Sequence, residues 1–153
     1  MHVALRSRTR IAAVLLLCVS VLVSGIATDH ARAAARQDRQ QMLQLTNDDR
    51  DQRGRAALKL DKALSNYAFE HSQDMAEDGT LFHTADLAGV LGDRDWSMGG
   101  ENVGVASTLT DMQAAFMDSK THRKNILQSG FDHAAVGVFE SDGSFWVTVI
   151  FYG

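Results

Sequence analysis

Proline is absent from this sequence of 153 residues, and cysteine occurs once, as Cys18. A single cysteine excludes an intrachain disulfide framework, so a hydrophobic core must hold the folded part. Without proline, the 12 glycines are left to mark the turns. A net charge of −4 argues against a basic surface that binds nucleic acid. Hydrophobic content of 45% and charged content of 22% are those of an ordinary globular domain.

The N-terminal region also lacks an apolar run as long as the roughly 20 residues of a transmembrane helix. It carries Arg6, Arg8 and Arg10, a shorter apolar run over 11–26, and a group of alanines that ends at Ala35. This order is typical of a secretory signal peptide. We therefore predict a leader over 1–35 and one domain over 36–153. The protein is expected to be secreted, extracellular or associated with the cell envelope, with no stable membrane span after the leader is removed.

Apolar periodicity predicts a first helix over 38–53 and a second helix that follows Asp61 and ends at Gly79. The buried face of the second helix is expected to consist of Leu64, Ala68, His71 and Met75. Arg50 lies in a run of alternating acids and arginines at the end of the first helix. Such a run is typical of a solvated helix end.

The stretch 80–107 shows no strong periodicity and contains five glycines. Long segments of this kind are usually functional loops when they carry apolar side chains. A third helix is predicted to begin at Thr110, because Thr110 and Gln113 have the spacing of a capping box. A further helical turn is expected over 122–127.

The C-terminal segment predicts a β-hairpin, with strands over 135–140 and 145–152 around the turn Ser141-Asp142-Gly143. One face of the last strand carries Phe145, Val147, Val149 and Phe151, and the other carries Trp146, Thr148, Ile150 and Tyr152. A strand that is apolar on both faces is covered on both faces. Helices are the available cover, so we predict a helix–sheet–helix arrangement of three layers.

Familiar catalytic motifs are missing: there is no G-x-S-x-G elbow, H-E-x-x-H pair, P-loop or cysteine nucleophile after the leader. The side chains left for chemistry are one glutamate framed by glycine and asparagine, Glu101, and four histidines after the leader. These histidines are His71, His83, His122 and His133.

Short motifs occur in a fixed order along the chain. They are Asn47-x-x-Arg50, Leu81-Phe82-His83, Gly100-Glu101-Asn102-Val103, Ser119-x-x-His122-Arg123-x-Asn125 and Trp146-Val147-Thr148. In this order and spacing they resemble the bacterial branch of the CAP superfamily, which comprises cysteine-rich secretory, antigen-five and pathogenesis-related proteins and is also called the SCP domain. The resemblance covers 42–153. It implies an α+β fold, a three-layer α-β-α sandwich with a central cleft.

In this family the cleft holds two histidines and acidic residues, which bind a divalent metal in some members. The resemblance places these roles on His83, Glu101 and His122. Many eukaryotic members carry a second glutamate before the last histidine motif, where this chain has Ser119 beside Asp118. Lipid or sterol binding is known for some members, so a small apolar molecule or lipid is an expected partner.

The chemistry of His83, Glu101 and His122 leaves three interpretations open. Two imidazoles and a carboxylate can ligate zinc and leave a fourth position for water. The same trio without metal can act as an acid–base pair in a secreted hydrolase or protease. The trio can also merely fasten the glycine-rich loop of a non-catalytic extracellular module.

Three further polar residues are interpreted as structural. Asn102 and Asn125 are expected to fasten a loop and a turn, because asparagine readily bonds to nearby backbone. His71 lies on an apolar helix face, and we expect it to be half-buried and bonded to a backbone carbonyl. Ser119 is expected to form a hydrogen bond at a helix end.

Overall fold

Five helices and four strands follow one another in residues 33–153, the part of the chain that the computed structural model describes. The predicted leader lies outside these residues, apart from 33–35, and stays a prediction. Residues 37–153 form one compact unit. In the described residues no helix is both long and apolar enough to cross a bilayer. The elements are α1 over 33–51, β1 (Lys59–Leu60), α2 (Leu64–Asp78), α3 (Leu87–Leu91), β2 (Gly99–Ala106), α4 (Leu109–Asp118), α5 (Lys120–Ile126), β3 (His133–Ser141) and β4 (Ser144–Tyr152).

The four strands form one sheet in the order β1-β3-β4-β2. The predicted hairpin is confirmed: β3 and β4 pair antiparallel, and β1 joins β3 in parallel. Asp142 and Gly143 connect the hairpin with φ of 50° and 71°. Two successive positive φ angles are those of a type I′ turn, whose twist matches that of the strands.

Helices cover both faces of the sheet, which confirms the predicted three layers. Val147, Val149 and Phe151 of β4 pack into a cluster with residues of α1, α4 and α5. Ile150 and Tyr152 pack on the other face with residues of α2 and α3. The cover ends before Trp146, which is only half-buried.

Helix α2 lies unusually close to the sheet. A Cβ at Gly137 of β3 would overlap the carbonyl carbon of Ala68. The glycine thus lets the helix backbone touch the strand backbone. The N-cap of α2 is Ala63 and not Asp61, although the Asp61 carboxylate accepts a hydrogen bond from the amide of Leu64. As predicted, α2 ends at Gly79, which has a φ of 62°. The predicted inner face of α2 is buried.

The stretch 80–107 is not one loop, which corrects the sequence prediction. It contains α3 and β2, and β2 pairs with β4 along its whole length. The glycines in β2 make room for side chains of other elements. A Cβ at Gly104 would lie 2.7 Å from the sulfur of Met112, and one at Gly100 would lie 3.0 Å from Oδ1 of Asn125. Sequence periodicity cannot show that these glycines are needed to make room for distant side chains.

Two helix-end predictions are also wrong. Helix α4 is capped by Thr108, not Thr110: the Thr108 hydroxyl accepts from the amide of Asp111 and donates to its carboxylate. Arg50 is not solvated but 1% exposed. Its guanidinium donates to the carbonyl groups of Ala56, Ile126, Gln128 and Phe131. One buried side chain therefore connects α1 to three later segments.

Candidate functional site

The candidate residues lie around β2, which is an edge strand of the sheet. Neighbouring residues of a strand point to opposite faces. Glu101 pairs with Ile150 and therefore faces the α2 layer, whereas Asn102 pairs with Val149 and faces the α5 layer. Two successive residues of β2 thus place polar side chains on opposite faces of the sheet.

Glu101 is buried and bonds directly to His83. Its Oε2 lies 2.7 Å from Nδ1 of His83 and accepts from the amide of Thr84 at 3.0 Å. Its Oε1 accepts from the Thr84 hydroxyl at 2.6 Å. A carboxylate only accepts, so Nδ1 of His83 is the donor in this hydrogen bond, and a lone pair on Nε2 is available whenever the ring is neutral. The His83 side chain is 62% exposed, against 5% for that of Glu101.

Helix α2 braces the segment that carries His83. The ring of Phe82 packs edge-on against that of His71, with centroids 5.0 Å apart. Two residues later, the Tyr67 hydroxyl donates to the hydroxyl of Thr84 at 3.2 Å. The backbone on both sides of His83 is thereby attached to a rigid helix.

His122 approaches from the opposite layer, on the first turns of α5. Ser119 caps this helix and accepts from the amide of His122 at 3.5 Å, as predicted for Ser119. The imidazole packs edge-on against Phe116, with centroids 5.0 Å apart. Burial lowers the pKa of His122, and the charge of nearby His83 lowers this pKa further. The ring therefore remains neutral over a wider pH range than a free imidazole.

Direct contact joins His83 to Glu101, while His122 lies near enough to His83 for an electrostatic effect. Within residues 33–153, no three His, Cys, Asp or Glu side chains converge as a set that would hold a metal ion. The joint ligand set of His83, Glu101 and His122 therefore stays a prediction.

Asn102 and Asn125 connect β2 to α5. The amide of Asn102 donates to the carbonyl of His122 at 3.1 Å. The amide of Asn125 donates to the carbonyl of Glu101 at 3.1 Å and to Oδ1 of Asn102 at 2.9 Å. The segments they join are a strand and a helix, so these bonds fix the position of α5 beside the site.

His71 lies behind the site and is more buried than expected, with 6% exposure. Its Nδ1 lies 3.0 Å from the hydroxyl of Thr148, not from a backbone carbonyl. Its Nε2 has no hydrogen-bond partner among the described residues. Burial lowers the pKa of His71; Glu101 and Asp74 oppose this shift, and His83 adds to it.

Thr84 and Tyr67 also contribute to the site but do not stand out in the sequence. Thr84 directly follows His83, and Tyr67 lies one helical turn before His71 on the face that α2 turns toward this segment. Only these positions, next to a candidate histidine and on the same helix face as His71, could have indicated the two residues from the sequence. Threonine and tyrosine are not distinctive by themselves.

The chain is similar to several known proteins. A family model for CAP, the cysteine-rich secretory protein family, matches residues 43–151. The uncharacterized protein YkwD of Bacillus subtilis is 37% identical over 112 residues, which cover 69% of this chain and 43% of YkwD. The membrane protein YlbC of the same species is 37% identical over 107 residues, which cover 64% and 30%. The chain spans less than half the length of either relative.

Solved structures show the same architecture. An extracellular protein with an SCP domain from Bacillus anthracis is 27% identical, with a TM-score of 0.67 over 77% of this chain and 41% of that one. An outer surface protein from Borrelia burgdorferi also has a TM-score of 0.67, covering 76% of this chain and 92% of that one, at 17% identity. The second likeness shows the fold alone. Both agree with a helix–sheet–helix sandwich.

Proposed function

Because the chain belongs to the CAP family of cysteine-rich secretory proteins, we propose that it is an exported domain that binds a divalent metal ion, zinc in the first place, at the cleft around His83. One observation carries the proposal. Glu101 accepts a hydrogen bond from Nδ1–H of His83, while 62% of the His83 side chain remains exposed. Nε2 therefore offers a lone pair to a metal or a proton.

The donor groups suit zinc in kind. His122 adds a second imidazole, and its lowered pKa favours the neutral form that ligates metals. A carboxylate bonded to the second nitrogen of a histidine ligand is common at zinc sites, where it fixes the ring. Both oxygens of Glu101 already accept hydrogen bonds. We therefore expect Glu101 to act on the metal through His83. Bound zinc supplies a Lewis acid and lowers the pKa of its water.

Calorimetric titration of the purified domain with zinc tests this proposal. Near neutral pH we expect His83→Ala and His122→Ala each to weaken zinc affinity at least about tenfold. Affinity should also fall as the pH is lowered through about 6.5, because protonated imidazole does not ligate. The matched control is His133→Ala, since His133 pairs with Asp132 away from the site. Zinc affinity that is unchanged in both site variants would contradict the proposal.

A hydrolase at the same site is the second candidate. An imidazole whose Nδ1 is held by a carboxylate and whose Nε2 is accessible is the arrangement of a general base. Hydrolysis of a panel of peptides and esters, with and without zinc, tests this candidate. Turnover that disappears in His83→Ala would support it, and no turnover in the wild type would exclude it for those substrates.

A small apolar molecule or lipid is the organic ligand that the surroundings favour. Leu81 and Phe82 precede His83 and are 44% and 37% exposed. Binding of a fluorescent fatty acid, compared between wild type and Leu81→Ser, tests this partner. A protein that binds neither lipid nor zinc and hydrolyses nothing would fit a non-catalytic extracellular module.

Export rests on the sequence of the leader and on the similarity to the extracellular Bacillus anthracis protein. The intact mass of protein in the culture supernatant measures it directly. We expect a mass that lacks the first 35 residues. Full-length protein retained in the membrane fraction would contradict export.

A further inference from the structure

We propose that Tyr67 and Thr84 are positioning residues, which hold the Glu101 carboxylate in the orientation that fixes the tautomer of His83. The effect that we expect of these residues on metal binding rests on the proposed function. The orientation of His83 itself is measured independently of any metal.

The contacts form a continuous chain. The Tyr67 hydroxyl donates to Oγ1 of Thr84 at 3.2 Å, and the Thr84 hydroxyl donates to Oε1 of Glu101 at 2.6 Å. The amide of Thr84 and Nδ1 of His83 both bond to Oε2. The Thr84 hydroxyl thus accepts one hydrogen bond and donates the next, and such chains strengthen one another.

The Thr84 hydroxyl is the contact that controls rotation of the carboxylate. The terminal torsion of a glutamate is soft and has no sharp preference of its own. Hydrogen bonds on Oε2 alone hold the carboxylate at one end, whereas the short bond from Thr84 to Oε1 holds it at the other end and so resists its rotation. Tyr67 acts one step further back, because it orients the Thr84 hydroxyl toward Glu101. Since α2 carries Tyr67, the direction of the His83 ring is set by a helix and not only by its own loop.

Nitrogen-15 NMR of the imidazoles at about pH 8, where free histidine is neutral, tests the proposal without metal. In the wild type we expect the form of His83 with the proton on Nδ1, which is the minor form of free imidazole. Thr84→Val, which removes only the hydroxyl, should shift His83 measurably toward the form with the proton on Nε2. Thr84→Ser should restore the wild-type signal. Tyr67→Phe should give a smaller shift in the same direction.

Tyr152→Phe is the matched control, because it removes a phenol hydroxyl that bonds to Asp61 instead. It should leave the His83 signals unchanged. Identical His83 signals in wild type and Thr84→Val, with both proteins folded, would overturn the proposal. So would equal shifts in Tyr67→Phe and Tyr152→Phe.

Zinc titration separates this inference from the proposed function. If the wild type binds zinc, Thr84→Val should weaken binding about tenfold, as loss of an orienting partner usually does, and Thr84→Ser should restore it. If the wild type binds no zinc, the proposed function fails, while the tautomer measurement still decides the role of Thr84 and Tyr67. Unchanged zinc affinity in Thr84→Val together with a changed tautomer would overturn the link to metal binding.

Discussion

The two faces of the sheet are closed in different ways. Over one face, α1, α4 and α5 contribute large apolar side chains, and buried Arg50 ties four carbonyl groups together. Over the other face, the backbone of α2 touches Gly137, and Ser72, His71 and Thr148 form buried hydrogen bonds. The first face is held by a large apolar cluster and one buried cation, whereas the second combines a smaller apolar cluster with close backbone contact and buried polar groups. A titratable side chain therefore lies directly behind the candidate site on the second face.

Arg50→Met tests the first face and has the largest expected effect. The substitution keeps much of the side-chain length but leaves four carbonyl groups without their donor. We expect the free energy of unfolding to fall by about 4 kcal/mol, since each unsatisfied buried group costs about 1–3 kcal/mol. Urea denaturation measures this loss. Arg53→Met is the control: Arg53 forms an exposed ion pair with Asp49, which contributes about 0–1 kcal/mol. Equal losses in both variants would contradict the role of Arg50.

Gly137→Ala tests the close contact on the second face. The added methyl meets the backbone of Ala68, which cannot move without shifting α2. We expect a loss of about 3 kcal/mol, at the upper end for overpacking. Gly104→Ala is the comparison: its methyl meets side chains only, first the flexible Met112 and then the edge of the Phe116 ring, and should cost about 1 kcal/mol. Thermal or urea unfolding measures both losses of stability. A larger loss in Gly104→Ala than in Gly137→Ala would contradict the proposed difference between the two faces.

Trp146→Ala measures where the cover of the second face ends. The sequence predicts a loss of about 3–5 kcal/mol, the range for a buried aromatic residue. Because Trp146 is only half-buried, we expect about 2 kcal/mol. A urea unfolding curve that gives a loss of about 4 kcal/mol or more, as for a buried aromatic residue, would show that the α2 layer extends over this end of the strand.

The pH dependence of stability gives a further test of the buried polar groups on the second face. The pKa of His71 is lowered in the folded protein, chiefly by burial, as is that of His122. The unfolded chain therefore binds more protons between the folded pKa values and about 6.5, and stability must fall as the pH drops through that window. A tenfold difference in proton affinity between the folded and unfolded chains corresponds to about 1.4 kcal/mol of stability.

Urea unfolding of wild type and His71→Gln at pH 7 and pH 5.5 checks this expectation. The variant should lose less stability than the wild type over this interval. Asp61, whose pKa is lowered by its hydrogen bonds and by Arg94 even though burial opposes the shift, adds a loss only at lower pH. An identical loss in wild type and His71→Gln would show that His71 does not carry the effect.

The parts of the fold that depend on local pattern could be predicted from the sequence. The apolar spacing of α2, its glycine end and the two-sided β4 are all visible in short windows, and they led to the correct three layers. The resemblance to the CAP family is confirmed by the family match over 43–151. Predicting these features does not require knowing which distant residues are in contact.

Other features depend on contacts between distant segments and therefore could not be predicted. Strand β2 looks like a loop because its glycines accommodate Met112 and Asn125 from other elements. Arg50 looks solvated because its four acceptors are backbone carbonyls, which leave no trace in the sequence. At the site, the sequence indicated His83 and Glu101, but not Thr84 or Tyr67, whose hydroxyl groups matter only once the two segments lie together.

Because successive side chains of β2 face opposite layers, the domain should tolerate changes in loop length without moving its two histidines apart. His83 is placed relative to the side chain of Glu101, and His122 relative to that of Asn102. Two neighbouring residues of β2 thus fix the distance between the two histidines, and the lengths of the loops between them do not. Insertions or deletions over 85–98 should therefore leave that separation intact, provided that Leu91 keeps its buried place in the apolar cluster beside α2.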